Sequence, residues 1–215
     1  MSILKIIYLG IVFWLAGCST APVTRYYQIQ PATSITGDLA GAATANPTVA
    51  LGIGPIKLPP YLDRTKIVLE QQDNELKLAQ YSEWAGPLDD NISSVLAREI
   101  GALIGTEQIS RYPWPPETTV DYRVEVDLIR LHVVADPETH EVVLAARWVI
   151  KDSDRQPVAG QLNSFSAPIR PALPALQETP EAPAILNPIV TAHAEVLQQL
   201  ARTIATALQD LTTSR

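Results

Sequence analysis

The sequence predicts an α+β or α/β sandwich: a mixed, largely antiparallel β-sheet with two main helices packed against one face. Residues 120–167 contain alternating runs separated by short turn clusters, the pattern of an antiparallel meander. Two other stretches, 88–104 and 189–211, repeat their apolar residues at helical spacing. Shorter apolar runs complete the order β-β-β-β-α-β-β-β-β-α, and strands gathered late in the chain favour segregated layers over repeated βαβ units.

The chain opens on a segment unlike the rest. Lys5 provides a positive start, residues 6–16 are an apolar run, and small residues lead into Cys18, as in a secretory signal. As a helix this run rises only about 16 Å against a hydrocarbon core of roughly 30 Å, too short to span a membrane. Leu15-Ala16-Gly17-Cys18 resembles the bacterial lipobox, and Cys18 is the only cysteine in the protein. The match predicts a signal peptide at 1–17, a lipidated tether at 18–24 and a single domain at 25–215. Its implied modification is a diacylglycerol and a fatty acyl chain on Cys18, with no other cofactor. Burial at about 0.8 kcal/mol per methylene makes three acyl chains a permanent anchor. Ser19 stands where retention in the inner membrane favours aspartate, so the resemblance implies the outer membrane, facing the periplasm. The competing reading is an ordinary signal peptide followed by a buried free thiol.

The whole chain carries a net charge of −7, and loss of residues 1–17 removes Lys5 and no acid. Nucleic acid and anionic lipid surfaces require clustered Lys and Arg, so this balance argues against both. With Cys18 acylated no disulfide forms, and stability must come from a hydrophobic core.

Arg25-Tyr26-Tyr27-Gln28-Ile29 alternates and is aromatic, a first strand, and residues 31–47 show no periodicity and read as a loop. The continuous apolar run from Val49 to Ile56 reads as a strand buried on both faces. Gly52 and Gly54 lack the third glycine of a dinucleotide fingerprint, since position 57 is Lys57. Leu58-Pro59-Pro60-Tyr61 stiffens the connection into Ile67-Val68-Leu69, which forms a hairpin with residues 75–79 across Asp73-Asn74. Tyr81 to Asp90 then leads into the first helix. Pro87 has the φ of a first helical position, Asp89 and Asp90 oppose the helix dipole, and Gly105 ends the run. Adjacent aspartates on a helix point about 100° apart, so the dipole role is preferred to a catalytic or metal pair.

A short strand at 108–112 and the rigid Pro113-Trp114-Pro115-Pro116 precede the meander. If Pro137 and Glu138 are central to its first turn, His132 faces Val143 and His140 faces Ala135. The two histidines then do not meet, which leaves a histidine metal site without a basis. No G-x-S-x-G elbow, H-E-x-x-H pair or P-loop is present. Residues 168–188 contain six prolines, too many for a helix or central strand, and read as surface connection or a partner-facing arm. His193 lies on the edge of the apolar stripe of the last helix, where a satisfied, partly buried side chain is expected.

Several of these motifs together carry a family resemblance. The lipobox, Arg25-Tyr26-Tyr27, Leu58 through Arg64, Tyr81 through Leu88, the strand through Trp148 and the alanine-rich last helix resemble the ABC-type transport auxiliary lipoproteins. That family is encoded beside MCE-domain, paraquat-inducible-type lipid transport systems. The resemblance implies a fold similar to the N-terminal domain of the Tol-system periplasmic propeller protein. It also implies a non-enzymatic accessory that docks on an MCE-domain membrane protein and its transport complex, helping phospholipid or other hydrophobic molecules cross the periplasm. The alternative is a lipid carrier with an acyl-chain pocket between sheet and helices; an envelope hydrolase lacks any visible nucleophile and base.

Tyr61 and Trp84 are the candidate partner-binding residues, because both are expected in connecting segments beside prolines, where interface aromatics are common. The competing reading places Trp84 as a cap on the core at the helix entry. A homo-oligomer would be indicated by a second apolar stripe on either helix.

Overall fold

In the computed structural model, residues 23–32, 48–70, 75–115, 117–135, 140–170 and 183–213 are described. The strands are β1 (Arg25–Tyr27), β2 (Leu51–Lys57), β3 (Lys66–Glu70) and β4 (Leu76–Trp84), then β5 (Ile109–Arg111), β6 (Tyr122–Ala135), β7 (His140–Lys151) and β8 (Pro157–Pro168). Helix α1 (Leu88–Ile104) separates β4 from β5, and helix α2 (Pro183–Thr213) follows β8. The observed order is the expected one. The strands divide into two sheets, β1-β4-β3 and β5-β2-β6-β7-β8, rather than joining in one. The division follows from parallel, non-local pairing: β1 runs parallel to β4, and β2 runs parallel to both β5 and β6.

The five-stranded sheet carries both helices on one face. α1 packs on β2 and β5, α2 on β7 and β8, and the helices pack on each other. Strand periodicity accounts for the core beneath them. Along β7, Val142, Leu144, Ala146, Trp148 and Ile150 are buried while the alternate residues are more exposed. In β6 the buried set changes parity, from Tyr122, Val124, Val126 and Leu128 to Leu131 and Val133. A register shift between Leu128 and Arg130 is the cause, since one extra residue transfers the following side chains to the other face. Between the bulge and the turn, His132 faces Val143 and Ala135 faces His140, as the sequence predicts.

β2 is flanked on both sides and buried through Leu51, Gly52, Ile53 and Gly54. Gly52 lies close under Trp114: a Cβ there would stand 3.3 Å from the ring, a tight contact that the indole would have to yield to. Gly105 ends α1 at φ 76°, the left-handed conformation that glycine adopts at helix ends. Pro87 is the cap residue of α1 rather than its first helical residue, with φ −55° and ψ 130°.

Two further expectations require correction. β4 continues through Tyr81-Ser82-Glu83 to Trp84, so Trp84 ends a strand instead of sitting in a connection. α2 begins at Pro183, within the proline-rich stretch, and contains Pro188. Pro183 suits a first helical position, and Pro188 lies close enough to the start to remove only one backbone rung. Full burial of Leu186 and Ile189 on either side of Pro188 offsets that loss. The remainder of the stretch, residues 171–182, lies outside the described residues.

Candidate functional site

The small sheet meets α2 at Trp84. Its position is fixed through the backbone: Trp84 pairs with Tyr27 of β1, and its N–H donates to the Thr65 carbonyl at 2.7 Å. The next amide, Ala85, donates to Tyr27 at 2.7 Å. The indole is 4% exposed and meets His193 edge-on, with ring centroids 5.6 Å apart and planes at 72°. On α2, His193 Nδ1 donates to the Ile189 carbonyl one turn earlier at 2.8 Å. A carbonyl only accepts, so the proton resides on Nδ1. Burial lowers the imidazole from its ordinary 6.5 to about 4; the Ile189 bond opposes that shift and the neighbouring His132 adds to it. His193 is therefore neutral at physiological pH, a packing partner for Trp84.

A second fastener holds the chain leaving β1. Asn91 of α1 is buried, and its amide grips Ile29 from both sides: Oδ1 accepts from the Ile29 N–H at 2.9 Å, and Nδ2 donates to the Ile29 carbonyl at 3.1 Å. Pairing both backbone groups avoids the penalty for burying them alone. The spacing of α1 places Asn91 beside Ile92 but does not reveal its partner 62 residues away.

The structure separates the candidate residues of the sequence. Trp84 is buried at the junction and packs against His193 of α2. Tyr61 is partly buried, packs against the core, and its hydroxyl accepts from the Leu131 N–H at 3.4 Å in β6. Cys18 and Ser19 lie outside the described residues. Asp90 pairs with Arg111 at 2.8 Å, and Asp89 is exposed in the first turn of α1. No cluster of His, Cys, Asp and Glu suited to a metal ion occurs among the described residues.

Sequence reasoning missed the aromatic pair Tyr112 and Trp114, whose rings meet edge-on at 5.5 Å, with Tyr112 53% exposed and Trp114 partly buried. The signal was available in Tyr112-Pro113-Trp114-Pro115, where proline denies a strand in which to bury both rings. The outward stripe of α2 reads Asn187, Thr191, Glu195, Arg202, Thr206 and Asp210. It is polar, and supplies no second apolar stripe for self-association.

Among the described residues, the space between the large sheet and the helices is filled by apolar side chains. Leu51, Ile53, Ile92, Leu96, Ile100, Leu144, Val196 and Leu200 are all fully buried there. A groove of about 690 Å³ runs outside this core, along α1 and β5, lined by Ala97, Arg98, Gly101, Ala102 and Ile109. No helix among the described residues is long and apolar enough to cross a membrane.

Residues 27–205 match the family model of the ABC-type transport auxiliary lipoprotein component. Among characterised proteins, the intermembrane transport lipoprotein PqiC of Escherichia coli K12 is 28% identical over 92 residues, 42% of this chain and 47% of that protein. PqiC of Shigella flexneri gives the same values: 28% identity over 92 residues, 42% and 47% coverage. The match thus spans about half the length of these relatives. Two crystal structures share the fold. One, of an uncharacterised protein, has a TM-score of 0.63 at 16% identity, over 86% of this chain and 99% of that chain. The other, from Xanthomonas campestris, has a TM-score of 0.60 at 15% identity, over 89% and 97%. With the family pattern running from β1 into the second half of α2, the chain belongs to the ABC-type transport auxiliary lipoproteins.

Proposed function

We propose that this protein is a docking component of an MCE-type ABC transport system, tethered to the periplasmic face of the outer membrane through acylated Cys18. In this reading, residues 1–17 are removed, 18–24 form the tether, and 25–215 present a rigid body to the periplasmic end of an MCE-domain protein. The cargo is phospholipid or another hydrophobic molecule, and the tunnel of the partner, not this domain, encloses it. The observation that carries the reading is the family match over residues 27–205, in company with relatives named as intermembrane transport lipoproteins. The filled interface between sheet and helices supports docking over carriage of acyl chains in a pocket between those layers, which would need several hundred Å³ of apolar cavity there. The role asks for no chemistry from this chain: His193, the buried histidine of the core junction, is neutral and engaged with Ile189.

The test is recovery of the tagged, acylated protein from gently solubilised envelopes, with proteins and lipids identified by mass spectrometry. An MCE-domain protein recovered without stoichiometric lipid is the expected result. Lipid at about one per chain with no protein partner would replace docking with carriage.

A further inference from the structure

The sheets end in edges of very different length. β1 and β5 run three residues each and β3 five, whereas β8 runs twelve. Among the described residues β8 pairs with β7 alone. From Pro157 to Pro168 it contains no charged residue, and its only prolines stand at its two ends. Long edges in soluble proteins are ordinarily blunted by lysines, inward charges or internal prolines, and β8 has none of these.

The register identifies the free backbone groups. In an antiparallel edge strand, alternate residues turn both N–H and C=O away from the neighbour. Gln199 of α2 donates to the Ser166 carbonyl at 3.0 Å, which marks Ser166 as an outward residue. The uninterrupted pairing with β7 makes Ser164, Leu162 and Gly160 outward as well. Beside them lies a groove of about 540 Å³ lined by Arg147, Val149, Val158 and Leu162. Arg147 stands opposite Leu162 in the ladder, is exposed, and makes no ion pair among the described residues.

We propose that the β8 edge accepts an extended segment of another protein as an added strand. It bonds to Gly160, Leu162 and Ser164, sets an apolar side chain against Leu162 and Val149, and brings a carboxylate to Arg147. Strand addition of this kind draws affinity from main-chain bonds and specificity from alternate side chains. A second copy of β8 has no carboxylate to offer Arg147, whereas a strand alternating apolar and acidic residues satisfies both features. The surface stands independently of which transport complex the protein serves.

The test uses the full chain in detergent with two short capped peptides, one alternating valine with glutamate and the other valine with lysine, read by amide hydrogen exchange. The Val/Glu peptide at saturation slows exchange at Gly160, Leu162 and Ser164 about tenfold, and the Val/Lys peptide does so far less. Leu162→Pro deletes an outward N–H and no rung to β7, so the variant retains its fold and loses the protection. Arg147→Gln keeps the strand and removes the preference between peptides. Unchanged exchange at these amides with the Val/Glu peptide overturns the proposal. Equal protection by both peptides on the unmodified chain overturns the acidic partner. Protection already present without peptide means that a second copy or the rest of this chain covers the edge, and also overturns it.

Discussion

Trp84 and Leu162 are both large apolar residues on strands, yet one is 4% exposed and the other 55%. Trp84 ends a strand held on both sides, by β1 and β3, and α2 closes over it with His193. Leu162 belongs to a strand with one neighbour, on the sheet face opposite the helices. The same hydrophobicity therefore has different consequences: at the junction it locks layers together, and at the edge it remains on offer. At the junction a large apolar side chain is covered from several sides, and at the edge a similar one is left in solvent.

Substitutions at the two regions should divide accordingly. The largest effect is expected from Trp84→Ala, which leaves a cavity in the junction and lowers unfolding free energy by about 3–5 kcal/mol in urea titration. A loss below about 1 kcal/mol would mean that the indole contributes little to the core. Next comes acidification. With His193 lowered to about 4 from 6.5, the unfolded chain binds the proton before the folded one as pH falls. The stabilisation is complete above pH 6.5 and is lost as pH drops towards 4, amounting to about 3 kcal/mol at about 1.4 kcal/mol per pKa unit. His193→Leu should remove that part of the slope, while leaving the carboxylate contribution at lower pH.

Asn91→Ala exposes the contribution of polar pairing in the same region. It orphans the N–H and C=O of Ile29, and denaturation should show a loss of about 2 kcal/mol. The smallest effect is expected from Leu162→Lys, within about 0.5 kcal/mol of the unmodified chain, because the side chain is already in water. A large loss there would show the edge to be packed in solution and would erase the contrast.

Much of this organisation was legible in the sequence because it is local. The turn signal read in the sequence between the two strands matches the register of Ala135 with His140, Gly105 marked the end of α1, and apolar spacing located both helices. The division into two sheets was not legible, since it depends on parallel pairs such as Tyr27 with Trp84 that no turn dictates. Placing Trp84 in a connection was the consequence: residues 80–84 alternate weakly, and pairing with β1 on one side and β3 on the other makes them strand. The proline count misled at the start of α2, where position within the first turns matters more than number. Of the candidate residues, Trp84 is placed by the structure in the interior against His193, and Tyr61 partly buried against β6. Arg147 and Leu162 carried no signal, because the place proposed for them depends on β8 having β7 as its one neighbour among the described residues.

The central claim is that this chain docks a transport complex and does not itself carry the cargo. Its most direct test is affinity isolation of the acylated protein from native envelopes, with protein and lipid stoichiometry measured in the same eluate. The account predicts an MCE-domain protein in constant ratio to the chain and lipid far below one per chain. Stoichiometric lipid on the chain in the absence of any protein partner would contradict it.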